Sequence, residues 1–419
     1  MDNQQFINHL KSLIAIPSVS TDPEGDYPFG KAPYEALQYV LNLCKSYGFT
    51  TKQCGNHCGW AEIGQGTEIF GILVHLDVVP AGEGWDTDPF TLVEKDGKLF
   101  GRGVIDDKGP AIAVIHAMKD SVDKKIPLNK RVRIIFGTSE ETGDEADLAL
   151  YKQTEELPTM GFTPDADFPV VYLEKGIGEV ELSMDLTASG LSWAEGGNAS
   201  NMVPDSCTLT YEKGGDVVTV TATGKSAHGS MPWLGENAIG KAMAQLPSTV
   251  PIAQFYNKVI AMTIDGAGLG CHFADEASGG TTVNVGMIAV VEGRVVITLD
   301  IRCAISATAE LLEQAIQTTV TPYGMNAELT FWSNPVYMDK ESPFVKSLMQ
   351  VYQSVTGVDM NPLIMGGGTY ARSMDNIVAF GPVFPGRECT EHQANEYMYL
   401  SDLMQAKEIY YQAIGKLCQ

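Results

Sequence analysis

The 419-residue sequence is poor in positive charge, with 28 Lys and Arg against 52 Asp and Glu, a formal charge of −24. A nucleic-acid binder needs a basic face for the phosphate backbone, so this balance argues against that class. It argues equally against docking on an anionic membrane surface. Long apolar runs are also missing. Runs such as Ile69 to Val74 are strand-length and far below the roughly 18 residues of a membrane span. The N-terminal segment MDNQQFINHLKSLIAIPSVS has an amphipathic helical pattern without a basic-then-apolar order, so no secretory signal is expected. Eight cysteines spread over the chain do not make a disulfide framework, and reduced thiols in a cytoplasmic protein are expected. Cys54 and Cys58 flank His57 but lack a second ligand pair nearby, so a surface loop or incidental thiols are expected there rather than a metal loop. The chain has no GxSxG elbow, no Walker loop and no HExxH helix, which removes three common catalytic designs.

Hydrophobic residues make up 44% and charged residues 19%, the balance of a globular protein too long for one ordinary core. Phe6–Ile16 and Tyr34–Tyr47 read as helices, and Ile69–Leu76 as a strand buried on both faces. Gly109–Lys119 reads as a buried helix, and Val132–Phe136 and Val170–Leu173 as buried strands. This alternation predicts an α/β domain with a mixed, mostly parallel sheet flanked by helices. From about residue 178 the pattern becomes alternating, as in Val217–Ala222, which predicts an antiparallel sheet with one face exposed. Helices are expected over Gly235–Leu246 and Thr308–Thr318, with a strand at Val295–Ile301. After Asn334 the order helix, strand, helix returns at Pro343–Val355, Ile377–Phe380 and Ser401–Leu417. The expected organisation is a discontinuous first domain, 1–177 and 332–419, with an α+β domain, 178–331, inserted.

Five polar clusters fall at the expected strand ends. His75-Leu76-Asp77 places an imidazole and a carboxylate two residues apart, on one face of a strand. Asp106 and Asp107 lie between glycine-rich turns, just before a helix. Glu140 and Glu141 follow the strand RVRIIF; one could bind a metal while the other handles a water proton. Asp165 and Asp167 precede PVVYLEKG, and His392 lies in EHQANE. Two histidines and several carboxylates form an N/O ligand set suited to divalent zinc or manganese, with one glutamate to spare. The count fits two ions about 3.5–4 Å apart, sharing one carboxylate. Spacing alone does not decide between Asp106 and Asp107, or between Asp165 and Asp167.

The motifs HLDVVPAGEGW, GRGxxDDKGP, GTSEETG, PDADFP, AHGSMP, GGGTY and HQANE, in this order, resemble the M20 metallopeptidases, and among them the PepV-like bacterial dipeptidases. The resemblance implies a zinc-exopeptidase-like catalytic domain holding two Zn2+ per chain, with Mn2+ or Co2+ as alternatives, and an inserted lid. It implies that His75 and Asp165 bind one metal, that Glu141 and His392 bind the other, and that Asp106 bridges. Asp77 would orient His75, and Glu140 would be the general base. In the lid, His228 would polarise the scissile carbonyl, with Asn201 near the oxyanion. Arg302 and the loop Gly366, Gly367, Gly368, Thr369, Tyr370 would hold the substrate's C-terminal carboxylate. The implied function is hydrolysis of a dipeptide; an N-acyl amino acid deacylase or desuccinylase with the same site is the alternative. The inserted block is shorter than the large PepV-type lid that closes its own site, whereas simpler members borrow a lid histidine from a partner. Monomer and homodimer are therefore both expected.

Overall fold

The structure is a computed structural model, and it describes residues 3–143 and 146–419. The chain forms two compact units. One comprises Met1–Tyr172, Met338–Leu363 and Thr369–Gln419; the other comprises Leu173–Tyr337 and Ile364–Gly368. The expected insert, 178–331, lies inside the second unit. That unit is wider because its sheet starts at Gly176 and ends at Ser333, beyond where the alternating pattern becomes visible. It also takes in Gly366, Gly367 and Gly368, while Thr369 and Tyr370 belong to the first unit.

In the first unit the central strands run in the order Thr50–Cys54, Cys58–Gly64, Arg131–Gly137, Ile69–His75, Met160–Thr163, Ile377–Ala379. The last four of these are parallel, whereas Thr50–Cys54 and Cys58–Gly64 pair antiparallel with each other and Cys58–Gly64 pairs antiparallel with Arg131–Gly137. Every residue of Ile69–His75 is buried, which explains its unbroken apolar sequence: it has a parallel neighbour on each side and packing on both faces. The helix Lys108–Asp123 is buried almost all round and packs against Asn3–Ile14 and Leu400–Leu417. Phe162 on the sheet stacks on Tyr410 of the last helix, with ring centroids 5.4 Å apart.

The second unit is a seven-stranded antiparallel sheet in the order Asp216–Thr223, Ser206–Lys213, Leu191–Gly196, Thr282–Val291, Arg294–Cys303, Gly176–Asp185, Asn326–Ser333. Gly176–Asp185 alternates buried and half-buried positions, as expected for a sheet covered on one face. Val180, Leu182, Ile239, Ile297, Leu312 and Ile316 share a core between that sheet and the helices Ala238–Gln245 and Ala309–Val320. Each such fully buried side chain contributes about 1.5–3 kcal/mol. Among the described residues no helix is long and apolar enough to cross a membrane.

The parallel strands set up the site. His75 pairs with Gly137, so Ile69–His75 and Arg131–Gly137 end level with each other, and Met160–Thr163 runs in the same direction beside them. The polar residues that follow these strands emerge at one edge of the sheet, where open α/β sheets place their ligands.

Candidate metal centre

His75 closes its strand fully buried. Its Nδ1 lies 3.0 Å from the Asp77 carbonyl oxygen and 3.5 Å from the Asp77 carboxylate. Its Nε2 points to Asp106 Oδ1 at 2.7 Å and to Asp165 Oδ2 at 3.8 Å. The other Asp106 oxygen, Oδ2, lies 2.9 Å from Nε2 of His392, and Glu141 Oε2 lies 3.1 Å from that same nitrogen. One carboxylate thus faces two histidines, one with each oxygen. Ligand-type atoms of His75, Glu140 and Asp165 lie within 4.8 Å of one another, as do those of His75, Asp106 and Glu141.

Neighbouring acids behave differently. Asp107 is buried and turns away; its Oδ2 accepts the backbone N–H of His75 at 3.2 Å. Asp167 is exposed. Asp77 joins two parts of the site. Besides facing His75, its two oxygens accept the N–H groups of Glu140 (3.2 Å) and Glu141 (3.1 Å). Ser20 adds a hydroxyl at 3.3 Å.

The cluster carries more negative charge than its histidines offset. Burial raises Glu140, Glu141 and Asp165 above the ordinary carboxylate range; neighbouring acids push the same way, and Asp165 reaches about 7 and Glu141 about 8. Burial would also raise Asp106, but His75 and His392 hold it well below that range. Burial would lower the histidines, yet Asp106 and the other carboxylates raise both, His392 to about 11. Glu141 Oε1 is buried without a hydrogen-bond partner. A surplus of close carboxylates, an unpartnered oxygen and imidazole nitrogens is the donor set of a hard-to-borderline divalent cation, and the residues present fit such ions.

The candidates of the second unit gather in a cluster of their own. Met202 and His228 form a bridge, and Gly229 donates its N–H to the Asn201 carbonyl at 2.6 Å. His228 and Asn201 are exposed, and His228 Nδ1 lies 2.7 Å from Ser230 Oγ. A Cβ on Gly229 would sit 2.4 Å from Asp300 Oδ2, so only glycine allows that approach. Arg302 is 5% exposed, and its donors are largely engaged. Nε and Nη2 donate to Asp300 at 3.0 and 3.1 Å, and Nη1 donates to the Gly366 carbonyl at 2.8 Å. Two of its five N–H groups remain for a ligand. Gly367 and Gly368 follow in the same unit. Thr369 belongs to the first unit, where its Oγ1 accepts the Ala371 N–H at 3.1 Å and caps a short helical turn.

Sequence reasoning missed several supports. Asp147 accepts N–H groups from Thr138 (2.6 Å) and Ser139 (3.0 Å) and the Tyr370 hydroxyl (2.5 Å), which fixes the loop leading into Glu140. Glu396 is fully buried against Arg102; both lie in quoted motifs, but nothing in the sequence marks them as a pair. The surface-loop expectation for Cys54 and Cys58 is corrected. Both are buried, and they face each other where two strands of the sheet pair. They belong to neither ligand cluster found among the described residues. Burial raises the Cys389 thiol, which does not suit a nucleophile.

Fold and cluster together define an α/β protein with ligand chemistry for divalent cations at the carboxyl ends of parallel strands. Residues 71–416 match the peptidase family M20/M25/M40, and the chain belongs to that family. A Staphylococcus haemolyticus protein bearing the name "Putative dipeptidase" is 36% identical over 459 aligned positions, covering 99% of this chain and 97% of that one. Human carnosine dipeptidase 1 superposes with a TM-score of 0.68 at 16% identity, covering 100% of this chain and 96% of its own. A Bacillus subtilis protein, described as a dinuclear metal binding peptidase from the M20 family, gives 0.58 at 13% identity, over 99% and 98% of the two chains. These structural likenesses concern the fold.

Proposed function

We propose that the protein is a dipeptidase that uses two divalent ions, zinc in the first instance with manganese or cobalt as alternatives. The observation that carries this reading is the convergence of His75, Asp106, Glu141 and His392, with Glu140 and Asp165 alongside. The names of the relatives support the substrate class.

In this reading His75 and Asp165 hold one ion, Glu141 and His392 hold the other, and Asp106 serves both. The split of the Asp106 oxygens between the two histidines supports that last assignment. The bound ions would polarise the substrate carbonyl and make water acidic enough to attack near neutral pH. Glu140 takes the proton of the attacking water and returns it to the leaving amine. Asp77 keeps His75 in orientation, chiefly through its main-chain carbonyl at 3.0 Å from Nδ1 with the carboxylate at 3.5 Å, while that carboxylate holds the Glu140 backbone N–H. His228 and Asn201 are assigned to the carbonyl oxygen. Arg302, Gly366, Gly367, Gly368 and Thr369 are assigned to the C-terminal carboxylate. Asp300 already neutralises Arg302, so the backbone N–H groups of the glycine run take a larger share of that recognition. The proposed setting is the cytoplasm, where eight free thiols persist, with the protein acting as a monomer or homodimer.

The test is a parallel assay of protein stripped by a chelator and reloaded with Zn2+, Mn2+ or Co2+. The panel holds Ala- and Leu-containing dipeptides, N-acetyl amino acids and N-succinyl-diaminopimelate. Metal-dependent cleavage of the dipeptides is expected. Preferential turnover of the acylated compounds would replace this reading with a deacylase, and stoichiometric metal without any turnover would remove catalysis from it.

A further inference from the structure

Glu396 ends the HQANE motif and has no part in the chemistry above, yet its carboxylate has no solvent exposure at all. It is fully partnered. Arg102 Nη1 donates to it at 2.7 Å, the Gly103 N–H at 3.1 Å and the Ile105 N–H at 2.9 Å. The Glu396 carbonyl accepts the Gly101 N–H at 3.1 Å. One residue therefore collects four donors from Gly101 to Ile105, the segment that delivers Asp106.

The same residue lies four positions after His392. Thr390 and Tyr397 close the intervening loop, the Tyr397 N–H donating to Thr390 Oγ1 at 3.1 Å. Asn395 pins that loop to a third segment, accepting the Asp86 N–H at 2.9 Å. Arg102, itself 1% exposed, reaches this third segment too. Its Nη2 lies 3.3 Å from the Ala81 carbonyl, and its guanidinium is 5.3 Å from the Trp85 ring.

We infer that Glu396 is a positioning residue that holds the Asp106 segment and the His392 loop in one geometry, and so sets metal affinity without touching the metal. The physical reason is separation. Asp106 and His392 come from parts of the chain 286 positions apart, and their contact at 2.9 Å has no local turn to maintain it. The backbone N–H groups of Gly103 and Ile105 lie just before Asp106, so an acceptor fixed at Glu396 leaves the approach to its carboxylate little freedom. Outer partners that orient ligands are commonly worth 10–100-fold in metal affinity.

The inference rests on the metal-site reading, and the experiment separates the two. Apo protein is titrated with Zn2+ against a chromophoric chelator and with Co2+ by visible absorption. This is done for the wild type, Glu396→Gln and Arg102→Lys, with melting of each apo protein recorded alongside. Glu396→Gln should weaken at least one ion by about 10–100-fold and alter the Co2+ spectrum. Arg102→Lys, which keeps the charge but loses the planar fork, should fall between it and the wild type. A folded variant of either kind with wild-type affinity and spectrum overturns the role of Glu396. If Glu396→Gln does not fold, Arg102→Lys decides alone. A wild type that binds no divalent ion overturns the metal-site reading itself.

Discussion

His116 provides a sharp test of the packing beneath the site. It lies on the Lys108–Asp123 helix, which begins just after Asp106, and it is fully buried. Its Nε2 is 3.0 Å from His9 Nδ1, and its own Nδ1 has no hydrogen-bond partner. Phe6 and Tyr47 pack edge-on against the ring. The nearby Asp120 is paired with Lys407 at 2.8 Å and offers little compensation. Protonation would bury a charge and leave an N–H without an acceptor. Burial, with the His9 and Lys407 charges adding, lowers its pKa to about 3. The unfolded chain has the ordinary value of about 6.5. Because the folded value is depressed, the native state binds fewer protons, and stability is complete above about pH 6.5 and declines as pH falls towards 3. Linkage gives a loss of about 2 kcal/mol at pH 5 and about 3 kcal/mol at pH 4. His116→Phe fills the space without a titrating group and should lose this part of the acid sensitivity. The assay is hydrogen exchange of the Lys108–Asp123 amides at pH 7.5 and pH 5, in the wild type and the variant, after correction for intrinsic rates. Carboxylates elsewhere affect both proteins alike, so the difference between them isolates His116. The wild-type helix should lose about 2 kcal/mol more opening free energy than the variant. Equal losses would refute the claim that His116 is held neutral by burial.

Two further outcomes bear on the site. Glu140→Gln should retain its metals and lower kcat by about 10²–10⁴-fold with little change in KM; activity close to wild type would remove Glu140 as the base. Gly137→Ala would put a Cβ 2.0 Å from the Tyr370 hydroxyl, forcing that ring off Asp147. Losing a hydrogen bond to a buried carboxylate and overpacking the strand end should together cost about 3 kcal/mol or more, visible as a lowered melting temperature. A wild-type melting temperature would show that Tyr370 is not confined there.

The fold was legible where one element's sequence determines its own burial. Ile69–His75 reads as a two-faced strand because every position is apolar until the histidine, and it is buried throughout. Gly176–Asp185 and its neighbours show the alternation of a sheet covered on one side. The cluster's membership was legible in kind, since strand-end acids and histidines share one edge of a parallel sheet. Which acid of a pair faces inward was not. Asp106 and Asp107 have the same chemistry, and only the backbone path turns Asp107 to the His75 N–H while Asp106 meets both histidines. Asp147 and Glu396 were hidden for another reason: their partners are backbone N–H groups, which every sequence supplies and none advertises. The Arg302 pairing is different, because the sequence did contain it. Asp300 and Arg302 are two apart on one strand and must share a face, by the same period-2 rule that brought His75 and Asp77 together. Applied evenly, that rule predicts an arginine already neutralised by its own strand.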